Sequence, residues 1–461
     1  MRRITSIALI AAAAAAPTTA QAHDTGLDLS HQSVFSTPFA PFQLTPTPAD
    51  QMHSVEYVAG DNGFTGGHVV VQGDRLYLGS YGRGLHIYDI SDPTAPERIG
   101  EYVPGEPRAD APPDAATFDG REIAVLNGTR RTHTNNGVNG TPLEGTRTDR
   151  TEFLDVTDPA TPVVLAKVGP DQVDGESHNG DIVDSRRLYL PSGGSGGQGL
   201  RIYDLKPILA DEPAAPANLF RGNPGELWEA SPYRGDKPVG APFTHTHDVE
   251  VYTDYKVRGL GKRDIVLLAE GGNYTNDSGN TGSIFVIDIT DPTDPVVLLR
   301  WLHERGDDHH PIRYHHEIQF VDGKPGLALV TDEDMHNGCG GDGGIVALQF
   351  SPDLQSALEV SEWFIPAGTP APVCSVHVFS SKDGFVFLGS YNAGLQVVDY
   401  RDPTAPVQAG YYIAPGATAW GALYHDGVVF VGDMTRGLDV FRFTGFPEPA
   451  TGSGKGKKPK P

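Results

Sequence analysis

Along most of the chain, apolar and polar residues alternate in short runs that end at glycine, proline or aspartate. A period of two predicts strands half-buried on a pleated surface rather than helices. One block recurs almost unchanged. Leu76–Pro96 (LYLGSYGRGLHIYDISDPTAP) returns about 310 residues later as Val386–Pro406 (VFLGSYNAGLQVVDYRDPTAP). In each copy an apolar strand enters a Gly-rich turn and a second strand follows, with Leu85 and Ile87 facing one way and Tyr88 the other. D-P-x-x-P then ends that second strand. Proline carries no ladder donor and fixes φ, so the pair forces a turn.

The second strand of this unit occurs seven times: Gly84–Ile90, Phe153–Val156, Gly199–Leu205, Ser283–Ile289, Gly344–Phe350, Gly394–Tyr400 and Gly437–Phe443. The D-P-x-x-P stop follows four of them, beginning at Asp92, Asp158, Asp291 and Asp402. Units of about 40 to 70 residues suit four-stranded blades with loop insertions. The fold expected is all-β, a seven-bladed β-propeller forming one domain over residues 51–446. The last unit stops after its third strand at Phe443, while the strand-like Ser54–Ala59 has no blade of its own. That N-terminal strand is expected to complete blade 7, which closes the ring and covers an open edge.

These repeats resemble the LVIVD repeat family of bacterial β-propellers over roughly residues 50 to 446. The resemblance implies the fold and leaves the activity open. Blade 2 departs from the pattern through a long insertion, Thr129–Arg150, and blade 5 lacks the D-P-x-x-P stop.

Composition adds the compartment. Arg2 and Arg3, an alanine-rich apolar stretch and Ala20-Gln-Ala22 read as a signal peptide over residues 1–22. The stretch is too short to span a membrane. Export to the periplasm or medium is the expectation, with an extended or disordered segment over 23–50 and a disordered Gly/Lys/Pro tail over 447–461. The net charge of −24 argues against nucleic acid or an anionic membrane as partner. A monomer is expected. Cys339 and Cys374 are the two cysteines. In an oxidising compartment they read as one disulfide, with free thiols or a ligand role for Cys374 as the alternatives.

The candidate chemistry lies where each blade begins. Aligned by the turn that ends the first strand, His178, His247, His316 and His377 open blades 3, 4, 5 and 6, with spacings of 69, 69 and 61 residues. His68 opens blade 1 one position out of register, Trp420 holds the place in blade 7, and blade 2 offers only Pro113-Asp114. First strands line the axis, so the ring would gather imidazoles that the chain scatters over 200 residues. The structural alternative is one ancestral histidine copied with the repeat and kept for hydrogen bonding. The functional reading is a single transition-metal ion (Cu, Fe or Zn) held on the axis by His178, His247, His316 and His377, with His68 as a further candidate. Asp181, Asp248, Glu250, Glu317 and Glu176 are near enough in sequence to orient those rings. His245, His315 and Glu317 are candidates for acid–base work. His245 should face the same way as His247, and His309 and His310 would line the rim.

Histidine-held metals on propellers resemble the architecture of carotenoid-cleavage oxygenases and of the selenium-binding/methanethiol oxidase family, whose blade ending is similar to the Tyr88–Pro93 segment here. The resemblance concerns architecture. An open coordination position would activate O₂ or water, for an oxidation if the metal is Cu or Fe and a hydrolysis if it is Zn, with the oxidoreductase reading favoured and the substrate, a small molecule or a surface ligand, left open. The alternative is a non-catalytic propeller serving as a binding or cell-surface scaffold. Two G-x-G-x-x-G matches, Gly194–Gly199 and Gly338–Gly343, open no helix and read as turns. Ser177 lacks the α/β context of a nucleophile elbow. The sequons at Asn127, Asn139, Asn273 and Asn276 read as loop residues.

Overall fold

A computed structural model describes residues 54–446 apart from 81–83, 105–112, 128–150, 169–177, 193–198, 241, 244, 272–281, 304–313, 334–338 and 342. The expected leader, both terminal segments, the blade 2 insertion, Glu176, His309 and His310 lie outside the described residues.

Among the described residues, twenty-eight strands form seven antiparallel four-stranded sheets. The order within six of them is sequential, so each blade is a meander from the inner strand outward. All seven repeats recognised in the sequence are third strands, from Gly84–Asp89 in blade 1 to Gly437–Phe443 in blade 7. The turn that follows has a defined chemistry. Asp89 Oδ1 accepts from the Ser91 amide and Asp92 Oδ1 from the Thr94 amide. Asp288 with Asp291, and Asp399 with Asp402, repeat the pair. Two successive aspartate turns and a proline therefore end the third strand before the chain doubles back.

The seventh sheet is assembled from both ends of the domain. β1 (Val55–Asn62) lies antiparallel to the third strand of blade 7, with Val55 opposite Phe443 and Asn62 opposite Gly437. Val55 is buried among Phe385, Phe387, Phe441 and Phe443. Blades 7 and 1 also meet closely: a Cβ on Gly432 would fall 1.7 Å from the Gly67 carbonyl oxygen, so only glycine fits there.

The core consists of hydrophobic layers between neighbouring blades. Blades 4 and 5, for example, share Leu267, Val286, Ile318, Val330 and Leu348. One element escaped the strand reading, a seven-residue helix α1 (Pro224–Ala230) between blades 3 and 4. Its signals are local: Asn223 caps the Gly225 and Glu226 amides and proline occupies the first turn. α1 buries Trp228, whose indole N–H donates to the Pro238 carbonyl at 2.9 Å. Cys339 and Cys374 are joined as a disulfide that ties the blade 5 second-to-third strand loop to the entrance of blade 6. No helix among the described residues is long and apolar enough to cross a membrane.

The closure has a direct test. Val55→Asp would place an unpaired charge among the aromatic rings that seat β1, a change that costs about 3–5 kcal/mol. The thermal midpoint should fall by several degrees. A midpoint equal to wild type would show that β1 carries no part of blade 7's stability.

Candidate metal centre

The inner strands of blades 3 to 7 each have an edge largely without a strand beside it, a bridge between Val378 and Gly421 aside, and side chains of the preceding blade satisfy part of that edge. Asp114 accepts from the Ile182 amide, Asp181 from Val251 (2.9 Å) and Glu317 from Phe379 (2.9 Å). The Phe320 amide donates to the Tyr252 hydroxyl at 2.8 Å, and the Tyr424 amide to the Ser380 hydroxyl at 2.8 Å. At the start of the strands the same relation runs through histidine. His247 Nδ1 lies 2.8 Å from the His316 carbonyl oxygen, and His377 Nδ1 lies 2.9 Å from that of Trp420. A carbonyl only accepts, so each Nδ1 carries the proton. Nε2 is then the lone-pair nitrogen, available to a cation.

The aligned histidines form a continuous buried arc. Ring centroids are 4.8 Å apart for His178 and His247, 4.3 Å for His247 and His316, and 3.9 Å for His316 and His377. Trp420 extends the arc at 4.4 Å from His377, and His68 lies 5.5 Å from His377 across a wider step. All five imidazoles are buried, His68 being the most exposed at 8%. Burial and the neighbouring imidazoles hold the pKa of His316 well below the ordinary histidine value. Burial, with a smaller contribution from His247, lowers His68 to about 3.

Sequence reading missed one residue of this cluster, Glu333. It follows the second strand of blade 5 (Leu327–Asp332) and its side chain is fully buried. Its Oε2 is 3.8 Å from His316 Nε2 and its Oε1 is 3.8 Å from His377 Nε2. Ligand atoms of His247, His316 and Glu333 all lie within 4.8 Å of one another. The Tyr391 hydroxyl donates to Glu333 Oε1. Tyr391 has a φ of 45°, unusual for a bulky residue. Two backbone bonds with Ala419, at 2.8 and 2.9 Å, hold it there, and its ring meets that of His377 edge-on at 5.6 Å. A signal for Glu333 did exist. A buried polar residue stands at the end of each second strand or within one residue of it, namely Ser80, Asn127, Ser192, Glu270, Asp332, Ser390 and Asp433. Glu333 stands one step beyond that series.

Other candidates fall elsewhere. His245 lies 3.0 Å from the Tyr314 hydroxyl, and Tyr314 separates it from the arc by stacking edge-on against His247 at 4.9 Å. The strand bulges between Thr246 and Asp248, so the two-residue period that would align His245 with His247 is broken. His315 is buried with its ring edge-on to Trp301 at 6.2 Å. For His247 and His377 the group that meets Nδ1 is a backbone carbonyl and not one of the nearby carboxylates. Asp114, Asp181, Asp248, Glu250 and Glu317 instead line a cavity of about 460 Å³ beside the arc, reached also by His68 and His316. Burial pushes Asp181 up to about 6 and Asp248 up to about 7. Asp114, Glu250 and Glu317 are raised well above the usual carboxylate range by burial, and next by the charge of Asp181 on Asp114 and Glu250 and of Asp248 on Glu317.

With this geometry in place, the comparisons can be weighed. The LVIVD repeat model matches residues 66–103, the span from just before His68 to the outer strand of blade 1. The chain is thus an all-β seven-bladed propeller that carries an LVIVD repeat. The β-propeller domain of Myceliophteria thermophila Cps50 (Swd1) is similar in structure, with 10% identity, 84% of this chain and 99% of that one covered, and a TM-score of 0.53. The computationally designed Ika8 protein covers 85% of this chain and 99% of its own at 10% identity, with a TM-score of 0.45. At that identity the Cps50 likeness shows the fold alone. No curated protein matches the chain.

The neutral state of His68 has a measurable consequence in metal-free protein. Its folded pKa of about 3 lies below the unfolded value of 6.5, so the unfolded chain takes the proton first. Stability from this group is complete above pH 6.5 and is lost as pH falls toward 3. His68→Phe should therefore lose about 2 kcal/mol less than wild type between pH 7 and pH 5, at ~1.4 kcal/mol per pH unit. Denaturant midpoints at the two pH values measure this, and equal losses would contradict it.

Proposed function

We propose that this chain is an exported metalloprotein of LVIVD-repeat type that holds one transition-metal ion near the propeller axis. His247, His316 and His377 would bind through Nε2 and Glu333 through its carboxylate, with His178 and His68 flanking them. The observation that carries this reading is the buried convergence of His247, His316 and Glu333 donors within 4.8 Å, beside His377 Nε2 at 3.8 Å from the same carboxylate. Imidazole nitrogen and one carboxylate suit Cu, Fe or Zn, whose bonds to nitrogen are about 2.0–2.1 Å for Zn. Pinning Nδ1 on a backbone carbonyl is the usual support for a metal-binding imidazole. Four protein donors crowded on one side leave room for a small molecule from the adjoining cavity. The chemistry favoured is oxidation of that molecule with Cu or Fe, and hydrolysis with Zn.

Elemental analysis of protein recovered from the periplasm tests the reading. Wild type should carry about one ion per chain. His316→Ala and Glu333→Gln should each lower metal affinity at least tenfold while keeping the wild-type circular dichroism spectrum. Wild type without stoichiometric metal, or folded variants that retain it fully, would overturn the assignment.

A further inference from the structure

The carboxylates of the cavity form a second arrangement, separate from the imidazole arc. Oxygens of Asp248, Glu250 and Glu317 all lie within 4.8 Å of one another. Among the described residues, no lysine or arginine lines the cavity. Asp114 and Asp181 stand on the same wall, each already accepting a backbone amide from the next blade. Asp248 Oδ1 accepts from Asn179 Nδ2 at 3.2 Å. Glu317 Oε2 takes the Phe379 amide and its Oε1 takes Gln319.

Backbone satisfaction accounts for Asp114, Asp181 and Glu317. It does not account for Glu250, to which no hydrogen bond is found among the described residues, or for bringing three acids together. Asn179 supplies the independent sign of a ligand. It is 91% buried, lines the same cavity, and its Oδ1 has no hydrogen-bond partner. With its nitrogen donating to the Asp248 carboxylate, the amide leaves its oxygen over for another partner. Three carboxylate oxygens and a lone amide oxygen form a set of hard donors.

We infer that Asp248, Glu250 and Glu317, joined by Asn179 Oδ1, bind a hard divalent cation of the Ca²⁺ type in the channel. Ca²⁺ bonds oxygen at about 2.3–2.6 Å, so oxygens on opposite sides of one ion lie roughly 5 Å apart, which accommodates the observed spacing. Mg²⁺, at about 2.0–2.1 Å, would require the walls to draw inward. The cation would offset the mutual repulsion of the acids. It would also fix the inner strands of blades 3, 4 and 5 relative to one another, next to His247 and His316 but through different side chains. This inference does not depend on a transition metal at the imidazoles.

Calorimetric titration of chelator-treated, desalted full-length protein with CaCl₂ at pH 7.5 tests it. Wild type and Glu333→Gln should bind one Ca²⁺ per chain, and Glu250→Gln should bind it at least tenfold more weakly. Glu250 is partly exposed, so the folded state should survive, as the thermal midpoint without Ca²⁺ will report. Should Glu250→Gln fail to fold, Glu250→Asp, which shortens the reach, should still weaken binding severalfold. The inference is overturned if wild type gives no saturable single-site heat or if folded Glu250 variants bind as wild type does. Binding lost in Glu333→Gln but kept in Glu250→Gln would also overturn it, by placing the ion at the imidazoles.

Discussion

The structure depends on how the exposed edge of each inner strand is satisfied. A propeller packs sheets face to face, so the innermost strand of a blade has backbone groups along the axis that are largely without a strand to pair them, a bridge between Val378 and Gly421 aside. Leaving such groups unpaired and buried costs about 1–3 kcal/mol each. Here the preceding blade meets the need with side chains: a carboxylate of Asp114, Asp181 or Glu317 on an amide, and an imidazole of His247 or His377 on a carbonyl. The recurring separations of 68 to 70 residues across blades 2 to 5 are the repeat length expressed as contacts.

One structural requirement thus creates two chemically distinct belts. Where the strand begins, the group to be satisfied is a carbonyl, so the side chain must donate, and histidine does so through Nδ1 while its Nε2 faces inward. Further along, the groups are amides, so the side chain must accept, and acids collect there. Burial then acts on the belts in opposite senses of charge, favouring neutral imidazoles above and raising the carboxyl groups below. Both belts resist carrying charge unless a cation comes between their members. The fold generates the donors, and what they hold is decided by which positions the repeat has allowed to drift.

How much of this the chain discloses follows from the range of each interaction. Strands, turns and blade count are local, and the D-P-x-x-P stop with its paired aspartates marks them openly. The histidines of blades 3 to 6 were visible because each keeps the same place in its own repeat. Glu333 was hidden for the opposite reason: it lies one residue past the polar position that closes each second strand, so register placed Asp332 there instead. The roles of the carboxylates were not legible because sequence proximity to a histidine says nothing about direction. Asp248 and Glu317 each adjoin an arc histidine, and the ladder is irregular at both places, between Thr246 and Asp248 and between His315 and Ile318, so strand alternation does not tell where either side chain points. The bulge at His247 and the offset of His245 arise from pairing between strands, which no single strand encodes.

The drift of the repeat also determines where an ion would sit. Seven identical blades would place it on the axis with seven equal donors. In this chain blade 7 presents Trp420 and blade 2 presents Asp114, while blades 4, 5 and 6 supply His247, His316 and His377, and blade 5 adds Glu333. The closest ring spacing, 3.9 Å, falls between His316 and His377, and the carboxylate of Glu333 stands 3.8 Å from both. Tyr391, kept at positive φ by Ala419, braces that carboxylate from blade 6. Donors clustered on one side displace the centre toward blade 5. The opposite side, where Trp420 replaces an imidazole and the step to His68 widens to 5.5 Å, has fewer donors. Loss of symmetry therefore gives the ring a direction: the donors that would hold an ion on one side, and the cavity shared by His68 and His316 on the other.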